Sequence, residues 1–289
     1  MSDSPYSAGD LAVCAAIQRK HASTYALATR LFPARERADT QVFYAFVRTA
    51  DDIVDEPTDP DPAAVRREFE AWVDRWRAAY DGAASDDPVI RASTALFRQT
   101  EIPLADAEAF LGAMRRDIDC TRYQSYDSLM QDYVYGSAAV IGEVMCRLCN
   151  VSDPSALAGA RALGEAMQLT NFLRDVRADL LQRGRLYLAL EDLEHFGVSE
   201  ADIRAGLVTP AFRSLVQAYV ARARALYVRA DEALPLLPSH ARKAVRLSRL
   251  LYAGILDRIT AQDEDVFSRR ASVSTSRKFL TAAAVLAGA

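Results

Sequence analysis

Apolar residues recur at intervals of three and four positions along most of this chain, which is the spacing of amphipathic α-helices. An aspartate or threonine directly before a proline marks several helix starts, because the pair supplies an N-cap and a first helical residue. Such pairs begin at Asp61, Asp87, Asp153 and Thr209. The pattern predicts helices over residues 9–31, 35–55, 62–81, 87–100, 104–119, 126–149, 154–182, 210–233 and 240–262. We therefore expect an all-α protein, formed as one domain over residues 1–289 with its core at about 10–270.

Two acidic pairs interrupt otherwise apolar helical stretches: Asp51 with Asp55, and Asp175 with Asp179. A step of four residues turns only about 40° around a helix axis, so the two carboxylates of a pair share one face. Like charges at this spacing destabilise an isolated helix by roughly a few tenths of a kcal/mol. The repeated arrangement suggests that a cation occupies the gap. No linker-like segment separates the pairs, so we expect them to face each other across a shared cavity in a helical bundle.

The first pair belongs to a polar stripe that also contains Tyr44 and Arg48. Counted back from Asp51, Arg48 lies about 60° away on the helical wheel and Tyr44 about 20°. A solvated helix face that ends in acidic residues would give the same pattern. Acidic residues near a helix C-terminus oppose the helix dipole, which counts slightly against a purely structural role.

The second pair belongs to a stripe of four oxygen-bearing side chains, Gln168, Asn171, Asp175 and Asp179, that spans about 80° of the wheel. A surface helix would more often carry lysine and glutamate on its polar face, because asparagine and aspartate are poor helix formers. Oxygen ligands without nearby histidine or cysteine suit a hard cation, Mg²⁺ before Mn²⁺. This stripe is therefore the more diagnostic of the two.

Composition narrows the choice of partner and location. The chain has 289 residues, 51% of them hydrophobic, and a net charge of −4, so nothing favours a nucleic acid as partner. The first residues lack the basic and apolar regions of a signal peptide, and no uncharged apolar run approaches the length of a membrane span. We expect a cytoplasmic protein.

Two carboxylate clusters with arginines beside them indicate diphosphate chemistry. Mg²⁺ prefers one or two carboxylates together with substrate phosphates, and it stabilises diphosphate as a leaving group. Downstream of the second pair, Arg183, Arg185 and Tyr187 are in reach of an anionic ligand. No Walker A or Gly-x-Gly-x-x-Gly sequence supports nucleotide chemistry. Departure of diphosphate from an allylic carbon would leave a carbocation, which needs an apolar pocket with aromatic faces.

The motifs ADDIVDE (50–56) and QLTNFLRDVRADL (168–180), followed by GRLYL (184–188), resemble those of the squalene/phytoene synthase family. The resemblance runs from His21 to about Arg270 and is closest to bacterial phytoene synthases of carotenoid pathways. It implies the all-α isoprenoid synthase fold and the Mg²⁺-dependent 1′-1 joining of two geranylgeranyl diphosphates to phytoene through prephytoene diphosphate. No nicotinamide cofactor is expected for this product.

The resemblance also implies roles for individual residues. The residues that would hold Mg²⁺ and diphosphate are Asp51, Asp55, Asn171, Asp175 and Asp179. Those that would contact the substrate diphosphates or line the reaction centre are His21, Ser23, Tyr44, Arg48, Tyr133, Gln168, Arg174, Tyr187, Tyr252 and Arg269. The small residues Gly136, Ala138, Ala139 and Gly142 have two interpretations, namely close helix packing or room for a prenyl chain.

Two alternatives to this reading stay open at this point. A C30 synthase that uses farnesyl diphosphate has the same motifs, and the pocket depth that decides between substrates is not written in a sequence. A non-catalytic scaffold of the same fold is a third reading, although such a protein would be expected to lose the acidic ligands. Because the hydrocarbon product must leave into lipid, peripheral contact with the inner face of the cell membrane is a further expectation.

Overall fold

The computed structural model describes residues 5–21, 23–100 and 102–287, and within these ranges the backbone forms fourteen α-helices and no β-strand. The predicted all-α class is confirmed. The helices are α1 (Ala8–His21), α2 (Ser23–Thr29), α3 (Ala34–Asp55), α4 (Pro62–Tyr80), α5 (Pro88–Gln99), α6 (Leu104–Asp119), α7 (Tyr126–Leu129), α8 (Val140–Leu148), α9 (Pro154–Gln182), α10 (Leu190–Phe196), α11 (Glu200–Ala205), α12 (Pro210–Ala233), α13 (Ser239–Ala261) and α14 (Thr275–Ala287). A π-helix, Met130–Ala139, joins α7 to α8, and a 3₁₀ turn, Leu234–Leu236, follows α12.

Side-chain caps begin the helices that carry proline at their first position. The carboxylates of Asp61, Asp87 and Asp153 accept hydrogen bonds from backbone N–H groups of the first turn, and the Thr209 hydroxyl does the same. These bonds satisfy amide groups that have no partner within the helix. The predicted starts of α4, α5, α9 and α12 are therefore correct to within one residue.

The 29-residue helix α9 lies at the centre of the fold. It packs against α12, α8, α13 and the π-helix, and its apolar face is buried along most of its length. The polar face of α9 carries the second acidic pair.

Helix α3, which carries the first acidic pair, is fixed by an aromatic cluster around Phe46. The Phe46 ring is fully buried and lies 5.2–5.8 Å from the rings of Trp72, Trp76, Phe97 and Phe110. These rings come from α4, α5 and α6. The apolar side of α3 is thus anchored at its middle, and its polar stripe faces the other way.

Three parts of the backbone differ from the sequence prediction. The predicted helix 9–31 is two helices, and the predicted helix 126–149 is interrupted by the π-helix. The short helices α10 and α11 were not predicted; each ends at a glycine, Gly197 or Gly206, with φ near +70°.

None of the helices in the described ranges has the length and hydropathy that a membrane span requires.

Candidate active site

A cavity of about 560 Å³ runs along one side of α9. The α9 residues on its wall extend from Ala156 to Arg174, which corresponds to about 27 Å of helix at 1.5 Å per residue. The wall is apolar from Ala156 to Met167 and polar from Gln168 onward. Such a cavity has one end suited to a charged group and a long section suited to a hydrocarbon chain.

The second acidic pair lies just past the polar end of this wall. Asp175 accepts from Arg174, with Nε–Oδ2 at 2.9 Å, and from Arg270, with Nε–Oδ1 at 2.7 Å. Both arginines line the cavity. Because two guanidinium groups stabilise the carboxylate, the pKa of Asp175 is lowered even though burial opposes this.

The first acidic pair is held by other arginines. Arg48 Nη1 donates to Asp51 Oδ2 at 2.8 Å, and the same guanidinium contacts Asp52 and Glu56. Burial and the neighbouring Asp55 raise the pKa of Asp51 well above its usual range, with Arg48 opposing the shift.

Two arginines after α9 join the two pairs. The Arg183 guanidinium lies between Asp55 and Asp179, with N–O distances of 3.3 and 3.0 Å. Arg185 is buried, and its Nη1 donates to Asp55 at 2.5 Å. Burial and the charge of Asp175 raise the pKa of Asp179 to about 6. One carboxylate of each pair, Asp55 and Asp179, therefore contacts the same guanidinium. That the two pairs face each other across a shared cavity stays a prediction, because none of the four aspartates is among the described residues that line the cavity.

One residue of this region was missed in the sequence, namely Asp117 on α6. Its side chain is only 3% exposed. It accepts hydrogen bonds from the hydroxyls of Tyr133 at 2.5 Å and Tyr187 at 2.8 Å, and it lies 3.8 Å from Arg185. Burial raises its pKa to about 7. A sequence signal exists, because Asp117 lies beside apolar residues such as Phe110 and Met114 on the buried face of α6. Its partners, however, are distant in sequence.

The structure separates the predicted tyrosines into two groups. Tyr44 and Tyr252 line the cavity beside Gln168, and burial raises the pKa of both. Tyr133 and Tyr187 instead lie behind the acidic pairs, in a buried stack with Phe172 whose centroids are 4.5–6.1 Å apart.

The arginine that reaches Asp175 from the segment after α13 is Arg270. Arg269, which the resemblance placed at the site, is exposed like Arg270, but its recorded hydrogen bond is through its carbonyl, which accepts from Gln262. Arg270 is therefore the one of these two arginines whose guanidinium is seen to contact Asp175. The predictions for His21 and Ser23 concern side chains outside the described residues.

The donors available for a hard cation fit Mg²⁺ in chemistry. Asn171 Nδ2 donates to Gln168 at 3.3 Å, and the buried Asn171 Oδ1 has no hydrogen-bond partner. An orphaned buried amide oxygen beside carboxylates is the kind of group that a cation satisfies. Among the described residues, no three acidic, histidine or cysteine side chains converge closely enough to hold a metal ion. The arginines that neutralise the aspartates occupy the space between them.

The small residues of the π-helix and α8 allow close helix packing and also shape the cavity wall, so both interpretations of these residues apply. A Cβ added at Gly136 would overlap the carbonyl of Ala109, and one added at Gly142 would overlap that of Ala160. These glycines thus permit close helix packing. Gly142 and Ala138 also line the cavity, so the same close approach shapes its apolar wall.

Comparisons with known proteins identify the family of this chain. A family model described as squalene/phytoene synthase matches residues 18–277. The chain is 35% identical to phytoene synthase 3 of Zea mays, with 92% of this chain and 63% of that protein covered, and 34% identical to phytoene synthase of Cereibacter sphaeroides, with 94% and 78% covered. The chain thus spans less than two thirds of the length of the maize relative. A dehydrosqualene synthase structure with bound ligand superposes with a TM-score of 0.86 over 97% of this chain and 96% of that one, at 29% identity. The chain therefore belongs to the squalene/phytoene synthase family.

Proposed function

We propose that this protein joins two geranylgeranyl diphosphates head to head, forming phytoene through prephytoene diphosphate in carotenoid biosynthesis. The observation that carries the proposal is a long apolar cavity whose polar end is lined by Arg174 and Arg270, the two arginines that contact Asp175. The similarity to proteins named phytoene synthase, at 34–35% identity, supports the choice of product.

The two acidic pairs and Asn171 would hold the metal. Mg²⁺, or Mn²⁺ in its place, supplies the positive charge that binds the diphosphate and stabilises it as a leaving group. The carboxylates of Asp51, Asp55, Asp175 and Asp179 and the unpaired Oδ1 of Asn171 are the ligands that we assign. No nicotinamide is needed, because the condensation involves no reduction.

The arginines around these ligands would bind the diphosphate directly. Arg174 and Arg270 line the cavity and already contact a carboxylate, so each is positioned to exchange that carboxylate for a phosphate oxygen. Arg48 occupies the corresponding place at the first pair. We assign the diphosphate contact to Arg270 in place of Arg269.

The cavity walls would protect the carbocation that forms when diphosphate leaves. Apolar side chains along α8 and α9 exclude water, which would otherwise capture the cation. Tyr44, Gln168 and Tyr252 lie at the polar end, where the reacting carbons would meet, and present an aromatic or amide group without a strong nucleophile.

Incubation of the purified protein with geranylgeranyl diphosphate and Mg²⁺ in detergent or lipid tests the proposal. We expect release of diphosphate and a C40 hydrocarbon. Active, folded protein that consumes the substrate without forming a C40 product would contradict it.

A C30 synthase is the second candidate, because the dehydrosqualene synthase structure superposes closely on this chain. Competition between C15 and C20 diphosphates decides between the two. We expect a higher kcat/KM for the C20 substrate, and a preference for the C15 substrate would assign the chain to the C30 group.

A non-catalytic scaffold is the third reading. It is weakened by the presence of all four aspartates together with Asn171 in one site. A melting temperature that rises with Mg²⁺ and a diphosphate analogue together favours an enzyme, whereas no response favours a scaffold.

We further propose that α14 contacts an anionic membrane surface. Phe279 and Leu280 on this helix are 64% and 72% exposed, and Lys278 beside them lines the cavity. Basic residues surround the helix, including Arg242, Lys243 and Arg246 of α13. Apolar side chains within a basic surface suit a bilayer with anionic headgroups, into which a hydrocarbon product would leave.

A further inference from the structure

Asp117 is a buried carboxylate that belongs to neither acidic pair, and it holds three groups beside the site. Its Oδ2 accepts from Tyr133 at 2.5 Å, its Oδ1 accepts from Tyr187 at 2.8 Å, and Arg185 Nη1 lies 3.8 Å from Oδ2. These partners come from the π-helix and from the segment after α9. One carboxylate therefore connects three separate parts of the chain.

We propose that Asp117 is a positioning residue for the condensation: its carboxylate fixes the hydroxyls of Tyr133 and Tyr187 and provides a second counter-charge for Arg185. The inference rests on the proposed function and adds a residue to it.

The hydrogen bonds fix the orientation of two rings. The Tyr133 and Tyr187 rings are stacked with centroids 5.0 Å apart, and Tyr187 stacks on Phe172 at 4.5 Å. Stacking restrains the plane of each ring, and a hydrogen bond from the hydroxyl to a buried carboxylate restrains the position of the far end of the ring.

The ion pair fixes Arg185. This buried guanidinium lies between Asp55, at 2.5 Å, and Asp117, at 3.8 Å. Asp55 is one of the carboxylates that we assign to the metal, so it must loosen its contact with Arg185 when it turns to that task. Asp117 then remains as the counter-charge, and Arg185 stays in place. Without Asp117, the guanidinium would follow Asp55 and compete with the metal.

Asp106 offers a matched control on the same helix. It lies eleven residues before Asp117, or about 20° away on the helical wheel, so both side chains are on one face of α6. Asp106 is likewise buried and lies 3.6 Å from an arginine, Arg147. Its pKa is raised by burial as that of Asp117 is. Asp106 thus resembles Asp117 in its burial and in its arginine partner, but it does not bind Tyr133 or Tyr187.

The test compares Asp117→Asn with Asp106→Asn. For Asp117→Asn we expect kcat with geranylgeranyl diphosphate to fall by about tenfold or more with KM within about threefold, as for a group that acts in the transition state. Asp106→Asn should keep kcat within about twofold. The tyrosine absorbance band should shift in Asp117→Asn and stay unchanged in Asp106→Asn.

The double variant with Tyr133→Phe separates positioning from simple destabilisation. Residues that act through one contact are not additive, so Asp117→Asn with Tyr133→Phe should lose little more than the more damaging single change. Should Asp117→Asn fail to fold, Tyr133→Phe and Tyr187→Phe remove the same two hydrogen bonds from the other side and carry the same expectations. Wild-type kcat in Asp117→Asn, an equal loss in Asp106→Asn, or additive losses would each overturn the proposal.

Failure of the proposed function is distinguishable from failure of this inference. In the first case, the wild-type protein forms no C40 product, while the absorbance difference still reports whether Asp117 holds the tyrosines. In the second case, the wild-type protein is active, and Asp117→Asn matches it.

Discussion

Asp55 and Asp179 belong to different acidic pairs, yet both contact the guanidinium of Arg183, at 3.3 and 3.0 Å. The two pairs are therefore joined by the positively charged side chain of Arg183. Because Arg183 contacts both carboxylates, a metal that binds between them would compete with its guanidinium. A diphosphate would assist the exchange by giving the displaced arginine a new anionic partner.

Arg183→Gln should strengthen the binding of Mg²⁺ alone, because it frees two carboxylates, and weaken the binding of diphosphate. The measurement is the rise in melting temperature with Mg²⁺ in the absence of substrate. Arg115→Gln serves as the control, because Arg115 makes a bidentate pair with Glu70 and has similar exposure. A response to Mg²⁺ no larger than that of the control would contradict the prediction.

Asp51→Asn and Asp175→Asn should each reduce kcat by roughly a hundredfold or more, since each removes one negative charge from the proposed metal site. Far-UV circular dichroism should show unchanged helicity. Asp231→Asn on α12, which breaks the pair with Arg249 on α13, is the control and should retain its turnover. Retained activity in either site variant would remove the case for a metal cluster.

Lower pH should stabilise the metal-free fold while it reduces activity. The pKa values of Asp117 and Asp179 are raised in the folded protein to about 7 and about 6. Between pH 8 and pH 5 the folded state therefore binds more protons than the unfolded state, so the free energy of unfolding increases as pH falls. Asp175, whose pKa is lowered, acts in the opposite direction only at more acidic pH.

Metal binding needs ionised carboxylates, so kcat/KM should fall over the same range. Thermal melts and initial rates at matched pH values test both slopes. A melting temperature that decreases from pH 8 to pH 6 would contradict the raised pKa values of Asp117 and Asp179.

Gly142→Ala should destabilise the fold by about 1–3 kcal/mol, because the new methyl group would overlap the Ala160 carbonyl. Gly112→Ala provides the opposite case, since a Cβ in that helix meets no atom within 4 Å. Alanine there should stabilise by about 0.5–1 kcal/mol. Urea unfolding of both variants gives the change in the free energy of unfolding. An equal loss at the two positions would contradict the explanation by overlap with the Ala160 carbonyl.

Phe279→Ser with Leu280→Ser should abolish co-sedimentation with vesicles that contain anionic lipid. Turnover in detergent should be preserved, because neither side chain lines the cavity. Leu207→Ser on the surface after α11, where the leucine is 49% exposed, is the control. Equal vesicle binding by the wild type and the double variant would exclude α14 as the contact.

The sequence predicted those features that local signals encode. Proline caps gave the starts of α4, α5, α9 and α12, and the wheel positions of Gln168 and Asn171 placed both at the polar end of the cavity. Features that depend on distant partners were missed. Asp117 acquires its role only because Tyr133 and Tyr187 fold against it, and α10 and α11 are too short for a periodic signal.

The π-helix at 130–139 has a consequence for protein engineering by segment exchange. A π-helical turn contains about one residue more than an α-helical turn, so its i→i+5 hydrogen bonds set the rotational phase of everything that follows. Replacing this stretch by a regular α-helix with the same number of residues would therefore rotate the residues that follow it about the helix axis. It would thereby turn Gly142 away from Ala160 and change which side chains of α8 line the cavity. A chimera with a relative should therefore place its junctions outside residues 126–148.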